Sequence, residues 1–331
     1  MRIWTHYTKA MNRHNYKCFN MPLDYIGQNL FIRPTYIVSL PEYAGDLRPR
    51  SYAAIKNQEN LKDNFHKGVL SHKAISKMKN AVNWILCAAE PKKVYNKKYN
   101  SWFNFKVNFI TLTLPDTAIE VDNKMLQAKL LNPFLTYLRT YRSLKNYVWK
   151  LEFQKNGKLH VHLVSDTFIH HAELRKAWNR LLEQNGLIDD FFAKFGHRDP
   201  NSTDIHSVKK IRNLGAYMAK YMTKQAGDLQ NIKGRIWGCN QEVSRANKCR
   251  MFVDRDSCLE KIRPLMQSNI EYKALGEIDK YTGQFKSYGE MFYLKYTDWQ
   301  HNIKGSIKES FQDTIMMLRG ILTDDPLIFS T

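Results

Sequence analysis

Apolar and polar positions change period along the chain, and each change marks an element. Residues 1–70 are polar and irregular, and Pro22, Pro34, Pro41 and Pro49 interrupt any regular pattern. Ser71 then offers an N-cap, and Ala74, Ile75, Met78, Val82 and Ile85 fall on one stripe, which predicts a helix over 71–89. A basic connector follows, Lys92-Lys93-Val94-Tyr95-Asn96-Lys97-Lys98. Residues 107–114, VNFITLTL, read as a buried strand stopped by Pro115. Residues 122–143 read as a helix interrupted near Asn132-Pro133.

Residues 147–154 and 158–165 read as two strands joined by Lys155-Asn156-Gly157, where Asn-Gly favours a hairpin. Leu174, Ala177, Trp178, Leu181 and Leu182 give residues 171–184 one apolar helical face. A short strand over 204–208 and a helix over 211–225 complete this region. The order strand, helix, hairpin, helix, strand, helix predicts an α+β fold with an antiparallel sheet. Beyond residue 250, the Tyr- and Phe-rich segment 281–296 reads as strands and 306–322 as a helix.

Charge narrows the class of partner. The 331 residues hold 51 Lys and Arg against 31 Asp and Glu, a net charge of +20. Such an excess favours a polyanion, and nucleic acid is the first candidate. Eighteen Tyr and 17 Phe would suit stacking on unpaired bases. The five cysteines are odd in number and form no C-x-x-C pair, which argues against a disulfide scaffold or zinc ribbon and for a reducing cytoplasm. No secretory leader is evident at the N-terminus, and no run of about 18 apolar residues is present to span a membrane.

The alternation in 158–165 carries the first candidate chemistry. His160 and His162 lie two apart in a strand, so both imidazoles point to one face, roughly 6–7 Å apart along the chain. Leu159, Val161 and Leu163 take the other face, where a core would lie. A three-residue hairpin loop would place Glu152 opposite His162 on the histidine face, whereas a two-residue loop would put it out of phase. A carboxylate inside the apolar stretch YVWKLEF needs a partner. Two imidazoles, one carboxylate and open positions suit Mg²⁺ or Mn²⁺ acting as a Lewis acid, and Gln154 is placed to add a fourth ligand.

The helix over 211–225 carries the second. Tyr217, Lys220, Tyr221 and Lys224 share one stripe, displaced from the apolar stripe of Ile211, Leu214, Met218 and Met222. Tyrosine can serve as a covalent nucleophile, and a nearby lysine favours the phenolate. Two tyrosines on one face would permit two successive transesterifications.

Together these motifs resemble the HUH endonuclease family, most closely the rolling-circle replication initiators of small single-stranded DNA phages (Microviridae-like) and plasmids. Phe109-Ile110-Thr111-Leu112-Thr113-Leu114-Pro115 resembles the family's first strand motif. Lys158-Leu159-His160-Val161-His162-Leu163-Val164 is similar to its metal motif, with Glu152 eight residues before the first histidine. Tyr217-Met218-Ala219-Lys220-Tyr221-Met222-Thr223-Lys224 resembles the two-tyrosine motif. Each tyrosine begins a Tyr-x-x-Lys unit, so spacing does not rank them, while plasmid relatives with Glu at the first position favour Tyr221. Residues 234–246 also look like a segment found in phage initiators.

The resemblance implies an HUH/RRM-like fold. It has an antiparallel, about five-stranded central sheet flanked by helices, with the metal strand central and the tyrosine helix over it. It implies an endonuclease domain at 101–250, between an N-terminal extension (1–100) and a C-terminal extension (251–331). The implied activity is single-strand DNA nicking and rejoining through a 5′-phosphotyrosine, with His160, His162 and Glu152 as metal ligands. Tyr221 and Tyr217 would be the nucleophiles, assisted by Lys220 and Lys224. Expected partners are single-stranded DNA and origin duplex DNA. A host helicase and polymerase are expected too, since the chain has no G-x-x-x-x-G-K-[ST] motif. The implied setting is a bacterial cytoplasm if the gene belongs to a phage. Two other assignments share parts of the pattern. One is a relaxase or single-strand transposase; the other is a non-catalytic single-strand nucleic-acid-binding or packaging protein.

Overall fold

The computed structural model describes residues 25–34, 36–43, 70–115, 121–153, 158–207, 235–253, 270–279 and 281–294, together with residues 313, 316 and 319. In chain order the elements begin with β1 (Tyr25–Ile32), β2 (Tyr36–Tyr43), α1 (His72–Ala88), β3 (Lys92–Asn96), β4 (Ser101–Phe105) and β5 (Asn108–Thr113). Then come α2 (Asn123–Met125), a π-helical turn (Leu126–Leu131), α3 (Asn132–Arg142), β6 (Tyr147–Phe153), β7 (Leu159–Ser165), α4 (His171–Gln184), α5 (Asp189–Phe195) and β8 (Thr203–Ser207). The chain continues with β9 (Trp237–Cys239), α6 (Gln241–Ala246), β10 (Arg250–Val253), β11 (Ile270–Ile278) and β12 (Phe285–Leu294). The fold is α+β, and among the described residues no helix is long and apolar enough to cross a membrane.

The central sheet is five-stranded and antiparallel, in the order β8-β5-β7-β6-β9, so the His160–His162 strand lies in the middle. Strict alternation gives it two cores. Ile110, Leu112, Trp149, Leu151, Leu159, Val161 and Leu163 point to one side, against Leu126, Leu130, Phe134 and Leu138 of the π turn and α3 and Leu174 and Trp178 of α4. Phe109, Val148 and Val164 point to the other, against Met78, Val82 and Ile85 of α1 and Val243 of α6. Ser71 caps α1 as the sequence predicts, its hydroxyl accepting from the Ala74 N–H at 3.2 Å.

The break expected near Asn132-Pro133 is instead a change of helical pitch. Pro133 has no N–H to offer, and its ring crowds the carbonyl one turn back. The chain widens there to a π turn, in which the Asn132 N–H reaches the Gln127 carbonyl and α3 continues directly.

Three further expectations need correcting. Residues 25–43 are not irregular: they form β1 and β2, with Pro34 in the connection. Pro41 is tolerated because it lies beyond Ser39, the last β2 residue that β12 pairs, so no ladder bond is lost on that side. The basic stretch 92–98 is a β-hairpin rather than a connector, with Val94 opposite Phe103 and Tyr95 opposite Trp102. A second five-stranded antiparallel sheet, β10-β1-β2-β12-β11, joins residues near both ends of the chain. The C-terminal strands expected within 281–296 are realised as β12, with β11 before it. Residues 313, 316 and 319 are helical, within the predicted 306–322.

Candidate functional site

The site is built on the face of the central sheet that also carries the α1 core. Along that face the strand residues change character from one end to the other. Phe109, Val164 and Val148 lie under α1. One ladder step further, Thr111, His162 and Lys150 stand side by side on β5, β7 and β6. One step beyond, Thr113, His160 and Glu152 form the next row. The alternation that buries Leu159, Val161 and Leu163 therefore delivers two imidazoles, a carboxylate, an ammonium and two hydroxyls to one patch.

The register differs from the expected one. Glu152 pairs with His160, and Lys150 pairs with His162. Glu152 is still in phase with both histidines, because a shift of two residues keeps the face. Its carboxylate leans along the strand, and Oε2 lies 2.9 Å from His162 Nε2, both side chains only 12–13% exposed.

His162 is held on three sides. Its Nδ1 lies 3.1 Å from the Thr111 hydroxyl, and its ring stacks on Phe109 with centroids 5.3 Å apart and planes 21° from parallel. The hydroxyl is both donor and acceptor, so it serves either tautomer. With Nε2–H donating to Glu152, Thr111 donates to Nδ1; with Nε2 given to a metal, Nδ1–H donates to Thr111. A group that orients the distal ring nitrogen is the usual support of a ligating histidine.

The donor set fits a hard or borderline divalent ion. Two ligands about 2.1 Å from one ion at right angles lie about 3.0 Å apart, close to the Glu152–His162 spacing. The His160 and His162 centroids are 6.2 Å apart. Two imidazoles on one ion would sit about 4.6–5.6 Å apart. Among the described residues no three acidic, His or Cys side chains converge as a closed metal cluster. Bringing His160 onto the same ion requires a turn of its ring, with the backbone already in place.

Two neighbours were not singled out by sequence reasoning. Lys150 is 3% exposed yet lies directly across from His162. Its signal was available: a charged residue two before Glu152 in an apolar strand faces the same way. Thr111 was quoted only as part of a strand motif, although its position opposite His162 makes it a support for that ring. His206, set aside as unclustered, pairs with Asp204 at 2.7 Å on the exposed edge strand β8. Tyr217, Lys220, Tyr221 and Lys224, with the helix expected over 211–225, lie outside the described residues, as does Gln154.

Comparison with known families agrees with the location of this site. Residues 107–226 match a family model of replication-associated proteins, the ORF2 type. The matched stretch starts just before β5 and takes in Thr111, Glu152, His160, His162, Tyr217 and Tyr221. Over this part the chain is similar to replication-associated proteins, which is consistent with a replication initiator. No curated protein and no solved structure matches the chain.

Proposed function

We propose that the protein is a site-specific single-strand DNA endonuclease and strand transferase that starts and ends rolling-circle replication. The observation that carries this reading is the Glu152, His160 and His162 patch on the middle strands of the sheet, inside the stretch similar to replication-associated proteins. Glu152, His160 and His162 would hold Mg²⁺ or Mn²⁺. When bound, the ion supplies Lewis-acid polarisation of the scissile phosphate.

The remaining chemistry belongs to the chain. The Tyr221 phenolic oxygen, having lost its proton, attacks phosphorus. The bond from phosphorus to the 3′ oxygen breaks, and that oxygen leaves as a free 3′-OH after taking up a proton. The 5′ end stays on the protein as a phosphotyrosine, so the phosphodiester energy is kept and no ATP is consumed. Tyr217 attacks in a second round, and a 3′-OH displaces the first tyrosine to close a circle. Lys220 and Lys224 offset charge on the phosphate or the phenolate. Thr111 and Phe109 hold His162 in orientation throughout.

The test is incubation with an origin oligonucleotide and Mn²⁺, followed by denaturing electrophoresis. A covalent adduct is expected from the unaltered chain and none from the Tyr217→Phe/Tyr221→Phe double variant. An adduct formed by that double variant would show that neither tyrosine is the nucleophile. Binding without any adduct, and unaffected by EDTA, would instead support a non-catalytic DNA-binding protein.

A further inference from the structure

The β3–β4 hairpin stands apart from both five-stranded sheets as a two-stranded ribbon. One of its faces is anchored: Phe103 and Phe105 pack edge-on against Phe168, with centroids 6.1 and 5.4 Å away. The other face carries Lys93, Tyr95, Trp102 and Asn104 into solvent. Tyr95 and Trp102 are cross-strand partners with ring centroids 5.3 Å apart. Trp102 is 67% exposed, as is Tyr99 in the turn.

The turn is built to a fixed shape. Asn100 adopts a left-handed φ of 46°, the Tyr95 hydroxyl donates to the Asn100 side chain, and the Lys98 N–H donates to Asn96 Oδ1 at 3.0 Å. The Lys98 ammonium sits 5.5 Å from the Tyr99 ring. From Pro91 to Pro115 the chain has Lys92, Lys93, Lys97, Lys98 and Lys106 and no acidic residue.

A single exposed aromatic needs no explanation. Two tyrosines and a tryptophan on an ordered ribbon charged only by lysines form a pattern that does. Unpaired bases stack on exposed ring faces while lysines neutralise the backbone. A duplex hides its base faces, so these rings would find no stacking partner there. A lipid surface would call for exposed aliphatic side chains beside the aromatics, whereas this ribbon interleaves Asn96, Asn100, Ser101 and Asn104.

We propose that the β3–β4 hairpin is a single-stranded DNA holding site, with bases stacked on Trp102 and Tyr99 and phosphates met by Lys93, Lys97 and Lys98. The proposal rests on the reading that this chain acts on DNA, and places a second contact away from the metal patch. β4 runs into β5 after two residues, at the Asn108 end, while Thr113 and His160 lie at the opposite end of β5. Trp102 and Thr111 are nine residues apart, at most about 32 Å of extended chain. A single strand gripped at the ribbon is thereby led along the sheet toward Glu152, His160 and His162.

The test uses the full chain in EDTA and a fluorescein-labelled oligothymidylate about 30 nucleotides long, read by anisotropy at several salt concentrations. Trp102→Ala is expected to weaken binding about ten-fold, with Trp102→Phe recovering most of it. Lys97→Gln/Lys98→Gln is expected to lower the salt slope of log K by about 1.4, two phosphate contacts' worth for a single strand. Circular dichroism melts of these variants should match the unaltered chain, since the altered side chains are exposed. Variants that bind the oligothymidylate as tightly as the unaltered chain, with the same salt slope, overturn the hairpin assignment alone. An unaltered chain that fails to bind it overturns both this proposal and the DNA-nicking reading. Trp102-dependent binding to anionic phospholipid vesicles, with none to the oligothymidylate, assigns the ribbon to a membrane surface and likewise overturns it.

Discussion

Glu152 stands across the ladder from His160, yet its carboxylate meets His162 on the diagonal, 2.9 Å from Nε2. The diagonal matters because it holds two of the three candidate ligands at the spacing of neighbours around one ion while leaving His160 to approach from the side. Among these residues the first expected outcome concerns charge. Glu152→Gln keeps the shape and a hydrogen-bonding oxygen but removes the anion. Mn²⁺ affinity, measured by calorimetry, should fall by more than the roughly 10–100-fold typical of a lost outer-shell partner. Unchanged affinity would exclude Glu152 as a ligand.

Thr111 tests the support of the site separately from its ligands. Thr111→Val conserves volume and removes only the hydroxyl that meets His162 Nδ1. Mn²⁺ affinity should fall about 10–100-fold with the thermal midpoint nearly unchanged. Equal metal affinity in variant and parent would mean that Phe109 and Glu152 alone fix the ring.

Lys150 gives a prediction of opposite sign. Its ammonium is buried on the ligand face, in register with His162. A positive charge there opposes a divalent ion, since like charges close together repel strongly in a low-dielectric site. Lys150→Met, which keeps the stem and removes the charge, should tighten Mn²⁺ binding at low salt. Weaker binding in that variant would assign Lys150 to holding Glu152 in place instead.

Cys239 on β9 gives a pH signature unrelated to the metal. Burial pushes its thiol up to about 11, with Arg235 pulling weakly the other way. The folded state therefore holds the proton more tightly than the unfolded chain, whose thiol titrates near 9. Stability from this group is complete below pH 9 and is lost as pH rises toward 11. The urea midpoint of the parent should fall more steeply over that interval than that of Cys239→Ala. Parallel pH profiles would contradict the shift.

Gly289 reports on the second sheet. A methyl group there would meet the Leu40 side chain at 2.5 Å and the Ser39 carbonyl at 2.8 Å. Leucine can swing aside, but the carbonyl belongs to the β2 ladder. Gly289→Ala should cost about 1–3 kcal/mol of stability, read in denaturant melts.

The parts of this fold that were legible in the sequence are those in which a single periodicity decides burial. The stripe of α1, the face of α4 and the alternation of β6 and β7 each sort their own side chains, so their place in the core followed directly. The histidine face was legible for the same reason. What escaped was set by pairing across long separations. β1 and β2 look irregular alone, and they become strands only because β10 and β12 supply partners more than 200 residues later. The register of Glu152 escaped because a shift of two residues leaves the face pattern intact and only the hairpin loop decides it. Lys150 was passed over because a long aliphatic stem lets a lysine sit in an apolar run without disturbing its period.

The second sheet also fixes an order of events during synthesis. β1 and β2 emerge first, but β10, β11 and β12 that complete their sheet are encoded from residue 250 onward. The central sheet has all five strands available once residue 239 has left the ribosome. Until then the leading hairpin waits with unpaired edges, and a two-stranded ribbon is barely stable alone. Vectorial synthesis thus gives this protein a window in which the histidine-bearing sheet can form while its first strands remain open to misjoining with another nascent chain.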